Sequence, residues 1–289
     1  MVVPAPAGRL LVAGHVNVDR FLRVARAPGP DRTVPVLAER TELGGTATNL
    51  ARVARRLGVA VGLFARVGDG FPSEFWTRLR AEGIDLRGVE RVRGVPTPTC
   101  TILEDASGTT RMLMQQGPMG SDTGAFLRGP WWKRYRWFHL GTGDPRRTLH
   151  LARAASEAGR RVAFDPAQEV FYRWDGRSLA RLLPQVDLLF GNRAELDRIA
   201  RALGQRRVER LVDRLPLIVR TDGPDGASAF FRGGEIHVPT ARPRTVRTLV
   251  GAGDAFRGGF YAAWFAGAKL ANCLAGGNRA ARVWIEGRR

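Results

Sequence analysis

The sequence predicts an α/β protein, a three-layer α/β/α sandwich around a mostly parallel central sheet. Three observations carry this expectation. Short apolar runs alternate with amphipathic stretches almost from end to end. Most of the apolar runs end in short Gly, Asn or Asp motifs that lead into the next amphipathic stretch. A length of 289 residues with 44% hydrophobic content supplies a large core. Such alternation places strands side by side in parallel with helices on both faces.

In chain order, the runs at 9–14, 60–67, 137–140, 161–164, 186–190 and 217–221 read as strands. Helices are predicted at 47–57, 73–82, 146–158, 193–203 and 252–266. The first of these carries Leu50, Val53, Ala54 and Leu57 at helical spacing, and the last carries Phe256, Phe260, Ala263 and Trp264. Runs 227–231 and 235–238, joined through Arg232-Gly233-Gly234, read as a β-hairpin. Two stretches, at about 16–43 and 89–116, break the rhythm with Thr, Val and Pro and are predicted to be strands outside the main sheet. Neither repeats nor a flexible linker interrupts the chain. The expectation is therefore a single domain, 1–289, with a small β excursion.

Composition removes several functions. No stretch approaches the roughly 20 apolar residues of a membrane span, and Arg9 with two prolines interrupts any signal-like opening. Cys100 and Cys273 are too few and too far apart for a disulfide framework or a thiolate metal site. A cytoplasmic location is expected. The formal charge of +19 suggests nucleic acid, but the arginines are scattered along the chain, and Lys133 and Lys269 are the only lysines. Nucleic-acid binding is not expected as the main function, although the charge helps attract an anionic substrate. Neither lysine sits in a Walker A loop, and there is no nucleophile elbow, zinc-binding His pair or dinucleotide fingerprint.

What remains are polar motifs at strand ends. Gly251-Ala252-Gly253-Asp254 opens the last predicted helix, where free amides and the helix dipole favour an anion. The same field is expected to keep Asp254 ionised. Upstream lie Gly14-His15-Val16-Asn17-Val18-Asp19, Gly44-Gly45-Thr46-Ala47-Thr48-Asn49, Asn192-Arg193-Ala194-Glu195 and Thr221-Asp222-Gly223-Pro224-Asp225-Gly226. Each has an ordinary explanation: turn formers, a loop, a capping box, a tight turn. In an open α/β sheet, however, ligands bind at the carboxyl ends of strands, so these motifs should converge on one crevice.

In this order the motifs resemble the ribokinase-like (PfkB) family of carbohydrate and nucleoside kinases, over nearly the whole chain. Gly44-Gly45-x-x-x-Asn49 with Leu57-Gly58 is similar to the family's N-terminal signature, and Gly251–Phe256 to its C-terminal one. The resemblance implies ATP and Mg²⁺, with a small sugar or nucleoside as acceptor. It makes Asp254 the general base and Gly251, Ala252 and Gly253 the amide anion hole. Asn17, Asp19, Gly44, Gly45 and Asn49 would bind the acceptor. Asn192, Glu195, Thr221, Gly223, Gly226 and Asn278 would line the nucleotide site, Glu195 reaching Mg²⁺ through water. The β excursions would form a lid that in some members also makes a homodimer interface. The Asp-Thr that the family places before Gly-Ala-Gly-Asp is replaced here by Arg247-Thr248-Leu249-Val250, so activation by K⁺ is not expected. The alternative is a kinase-fold protein that binds sugar or nucleotide without turnover, against which the intact Asp254 argues.

Overall fold

The computed structural model describes residues 9–106, 108, 110–121 and 127–287, so both ends of the expected 1–289 unit lie outside the described residues. The chain begins with β1 (Arg9–Ala13), β2 (Asn17–Val24), β3 (Val36–Gly44), α1 (Thr46–Arg56), β4 (Ala60–Asp69) and α2 (Ser73–Ala81). It continues through β5 (Asp85–Pro96), β6 (Thr99–Glu104), β7 (Thr110–Gln115), β8 (Trp137–Leu140), α3 (Pro145–Glu157), β9 (Arg161–Phe164) and α4 (Gly176–Leu182). The last third holds β10 (Leu188–Asn192), α5 (Arg193–Ala202), β11 (Leu217–Thr221), β12 (Ala227–Phe231), β13 (Gly234–Val238), α6 (Ala252–Phe265) and α7 (Leu270–Ile285).

Nine strands form one sheet in the order β13-β12-β11-β10-β9-β8-β1-β4-β5, parallel from β11 through β5 and closed by the antiparallel β12–β13 hairpin. Strand β1 sits between β4 and β8 and is buried on both faces, as its unbroken apolar run requires. Its side chains alternate between the two layers. Leu10 and Val12 join Leu50, Ala51, Ala54, Phe256 and Phe260 on the α1–α6–α7 side. Leu11 and Ala13 join Leu151, Ala155, Leu179 and Ile199 on the α3–α4–α5 side. This is the predicted three-layer sandwich. No helix among the described residues is long and apolar enough to cross a membrane.

A second, four-stranded sheet has the order β3-β2-β6-β7. The stretch expected outside the main sheet began at about 89, but β5 runs parallel to β4 as far as the Asp69–Pro96 pair, so only residues from Thr99 onward enter the small sheet. Glycines at 88 and 94 and a half-buried pattern make β5 look irregular in sequence. Helices α4 and α7 were not legible; the Gly276-Gly277 pair interrupts the apolar periodicity of α7. One close approach positions the site. A Cβ at Gly258 would lie 2.7 Å from Val53 Cγ1 and 3.0 Å from the Ala54 amide, so a hydrogen there lets α6 lie directly against α1.

Candidate active site

Helix α6 starts at Gly251, whose φ of 81° belongs to the left-handed region that favours glycine. A Cβ at that position would also stand 2.8 Å from the Trp284 ring and 3.0 Å from Asn49 Nδ2. The sharp turn leaves the amides of Gly251 and Gly253 without a backbone acceptor among the described residues. The Ala252 amide is already used, donating to the Leu249 carbonyl at 3.2 Å. Of the three amides expected from the motif, the middle one is therefore engaged by the turn itself, and those of Gly251 and Gly253 remain.

Asp254 follows in the first turn and accepts a hydrogen bond from Asn49 Nδ2 at 3.1 Å, a pair 205 residues apart brought together by the α1–α6 contact. Its carboxyl is pushed up to about 7, chiefly by burial and further by the nearby Asp165 and Asp19. Arg257 and the Asn49 bond act in the opposite direction. The expectation of an acid held ionised by the helix field is thus corrected: in this site desolvation outweighs the dipole.

The residues expected to bind the acceptor lie largely on and beside the small sheet. Asn17 and Asp19 alternate with outward residues along β2 and are buried. Across the sheet, Asp19, Cys100 and Met114 stand in register, so their side chains share a face. Gly44, expected to touch substrate, instead makes room for Asp19: a Cβ there would sit 1.8 Å from Asp19 Oδ2. Gly45 (φ 96°) turns the chain into α1 and does line the cleft. Asn17 Oδ1 is buried and has no hydrogen-bond partner among the described residues.

Sequence reasoning missed a second row of polar side chains here. His15 bonds Thr142 Oγ1 through Nδ1 and Gln116 Oε1 through Nε2, each at 2.8 Å. Gln116 Nε2 in turn donates to Glu169 Oε1 at 3.2 Å. Burial pulls His15 down to about 4, so it is neutral, and pushes Glu169 up to about 7. His15 followed the first strand in a recognisable motif, but Gln116 and Glu169 carried no sequence signal.

Of the residues expected on the nucleotide side, Asn192 and Glu195 form a capping box at the start of α5: Asn192 Oδ1 accepts from the Glu195 amide at 2.9 Å and Glu195 Oε2 from the Asn192 amide at 2.8 Å. The turn after β11 is held by Gly223 (φ 60°) and Gly226 (φ 102°), with the Asp222 amide donating to the Gly226 carbonyl at 2.8 Å. Asn278 faces the same space, but its Nδ2 donates to the carbonyls of Val238 and Pro239, so it ties α7 to the end of β13. Apart from Gly44, the predicted site residues line one continuous cleft of about 1050 Å³.

Under the cradle lies a buried charge cluster. Arg257, 5% exposed, is paired with Asp165 through Nε and through an Nη2–Oδ1 bond of 2.9 Å. His139 approaches Asp165 at 3.8 Å and bonds the Tyr261 hydroxyl at 3.0 Å. Burial lowers His139 to about 4, leaving it neutral. Burial also raises Glu195, helped by Asp165. For Arg257, burial works against the charge, but Asp165, Glu195 and Asp254 outweigh it and the guanidinium stays protonated.

Comparison with known proteins agrees with this geometry. The pattern described as pfkB family carbohydrate kinase matches residues 7–288. A nucleoside kinase of Methanothermobacter thermautotrophicus is 31% identical over 91% of this chain and 85% of its own length. An ATP-dependent ribose-1-phosphate kinase of Halopiger xanaduensis is 33% identical over 89% and 84%. The solved nucleoside kinase of Methanocaldococcus jannaschii, an archaeal member of the ribokinase family, superposes with a TM-score of 0.87 at 24% identity, over 96% of this chain and 91% of its own. A chain with this fold, matched from end to end at these levels, belongs to the pfkB family of carbohydrate kinases.

Proposed function

We propose that this kinase moves the γ-phosphoryl group of ATP to a hydroxyl of a nucleoside, with Asp254 as general base. The observation that carries the reading is the Asp254–Asn49 bond at the lip of the cradle, with Asn17 and Asp19 on one side and the Asn192 and Thr221–Gly226 motifs on the other. The acceptor hydroxyl gives its proton to Asp254, and the amides of Gly251 and Gly253 meet the charge on the phosphoryl group. One such donor in a water-poor site is typically worth about 3 kcal/mol. A base titrating near neutrality suits proton transfer at working pH. The small sheet, acting as the lid, covers the acceptor and keeps water from replacing it.

A nucleoside is favoured over a sugar phosphate by the acceptor wall. Met112, Met114 and Tyr172 offer apolar, polarisable surface, and Gln116 and Gln168 offer amides suited to the edge of a base. The cations lining the cleft are Arg242, Arg257 and Arg282, none of them on the small sheet or beside His15. A phosphorylated ribose would find no cation among the residues lining the acceptor wall, since Arg173, whose charge acts on His15, does not line the cleft.

Mg²⁺ fits through water rather than directly. Glu195 has one oxygen already held by the Asn192 amide, and the described residues contain no cluster of three or more metal-binding side chains. Magnesium keeps most of its waters and needs only one or two carboxylates besides the phosphates, whose charge it neutralises. A monovalent cation beside the cradle is disfavoured by the missing carboxylate at 247–250 and by carbonyls that each already accept a donor. The carbonyls there are engaged: Leu249 accepts from Ala252 at 3.2 Å, Val250 from Trp284 Nε1 at 2.7 Å, and Ile285 from Arg247 at 2.9 Å.

The test is ADP formation with Mg-ATP across a panel of nucleosides, free sugars and ribose-1-phosphate, for the wild type and Asp254→Asn. Turnover of nucleosides that Asp254→Asn abolishes supports the proposal. Preference for ribose-1-phosphate overturns the acceptor assignment. Turnover that survives Asp254→Asn overturns the base.

A further inference from the structure

We propose that Arg257 is a further catalytic residue, its Nη1 donating to the phosphoryl group in flight beside the Gly253 amide. The inference rests on the kinase reading above and adds to it a donor that comes from outside the Gly-x-Gly-Asp motif.

The geometry is specific. Arg257 lies one turn beyond Asp254 on α6, and its side chain runs back toward the start of the helix. There Nη1 lies 2.6 Å from where a Cβ of residue 253 would sit, so the bare glycine leaves room for the guanidinium beside the start of the helix. Asp165 holds Nε and Nη2 on the opposite edge of the guanidinium. Nη1 has no acceptor among the described residues, and Arg257 lines the cleft with Asp254 and Gly253. A guanidinium that served structure alone would be satisfied by its ion pair. Here the fork is fixed on one edge and its other edge is directed to the anion cradle, the geometry suited to a phosphoryl oxygen.

The step balances without consuming the arginine. The acceptor oxygen forms a bond to the γ-phosphorus, the bond from that phosphorus to the β–γ bridging oxygen breaks, and ADP leaves with the electron pair. The acceptor proton goes to Asp254. Arg257 stays protonated and follows the equatorial oxygens, as in other phosphoryl transfers where an arginine stabilises spread charge.

The rival role is indirect: Arg257 would only tune Asp254, which is also faced by Asn49 from α1, Asp19 from β2 and Asp165 from β9. A pH profile separates the two. If Arg257 only tunes the base, Arg257→Met moves the acidic limb of kcat upward and the plateau at high pH returns to the wild-type value. If Nη1 touches the phosphoryl group, the plateau falls on the order of 10²-fold at every pH, with the KM for the nucleoside little changed. Because Arg257→Met leaves Asp165 buried and unpaired, the double variant Asp165→Asn/Arg257→Met, which removes both charges, is measured beside it; the same plateau loss is expected. Wild-type enzyme crystallised with Mg²⁺, ADP, aluminium fluoride and the nucleoside decides independently of folding. Nη1 within hydrogen-bond distance of a fluoride supports the proposal. A gap above about 4 Å, or a plateau retained in a folded variant, overturns it. Wild type that turns over no acceptor at all would instead count against the kinase reading itself.

Discussion

Replacing Asp254 with Asn should stop turnover and at the same time stabilise the fold at alkaline pH. The carboxyl titrates at about 7 in the folded protein against an ordinary 3.8, a difference of roughly 3 units, or about 4 kcal/mol at 1.36 kcal/mol per unit. The sign follows from proton counting. Between pH 3.8 and about 7 the folded state holds a proton that the unfolded state has released, so stability falls as pH rises through that window. Above it the full cost of a buried carboxylate, crowded by Asp165 and Asp19, is present. An amide has no such cost but is itself desolvated and bonds Asn49 less strongly, so a net gain of about 1–3 kcal/mol is expected. Urea unfolding of both proteins, followed by circular dichroism at about pH 8 and again near pH 5, measures it. The gain should shrink at the lower pH. A variant no more stable than wild type at the higher pH, or a gain independent of pH, would refute the argument that burial sets this group. Such a trade, activity bought with stability, is common at catalytic sites.

The wild-type kcat/KM should rise with pH through a limb near 7, where Asp254 ionises. Asn49→Ala removes a bond to the ionised form worth about 1.5–3 kcal/mol, so the limb should move up by roughly one to two pH units; an unmoved limb would show that the 3.1 Å bond is not made in the working enzyme. Gly44→Ala pushes a methyl into Asp19, so the KM for the acceptor should rise at least about tenfold while the KM for ATP is unchanged, read from initial rates with each substrate varied. Exchange of Na⁺ for K⁺ at constant ionic strength should leave the rate within about twofold, since Leu249, Val250 and Ile285 carbonyls already accept protein donors; a selective rise with K⁺ would show those bonds to be replaceable.

Much of the site was legible because its motifs are local. Gly251–Asp254 needs only a left-handed turn and a helix start, both dictated by adjacent residues. Asn192 and Glu195 could be recognised by the same logic, since a capping box closes within four residues. The central strands were legible because burial on both faces leaves an unbroken apolar run, as in Leu10–Val12. What could not be read depends on distant partners. Arg257 acquires its orientation from Asp165, 92 residues away, and Gln116 acquires its position from His15 and Glu169, 101 and 53 residues away. Gly44 looked like a ligand-binding glycine because its role, making room for Asp19, exists only once β2 pairs with β3. The Ala252 amide was miscounted because the turn that makes the cradle also takes a donor from it. The start of the second stretch, about 89, was misplaced because β5 serves the large sheet for twelve residues before the chain crosses over.

The electrostatics of the cleft run against those of the whole chain. A formal charge of +19 draws polyanions toward the protein from any direction. In and beneath the cleft, however, Asp165, Glu195 and Asp254 surround a single guanidinium, and Asp19 adds its charge to that at Asp254. A bare triphosphate arriving there meets more carboxylate than cation. Three features resolve the conflict. Arg242 and Arg282 line the cleft as well and add positive charge to its wall. The raised proton affinity of Asp254, about 7, reduces its negative charge near neutral pH. Arg257 is held rigidly by Asp165, so its charge stays beside the cradle instead of following the phosphates outward. On the proposed function, such an acidic surround would favour a nucleotide that brings its own magnesium, with Arg257 the fixed positive charge beside Gly253.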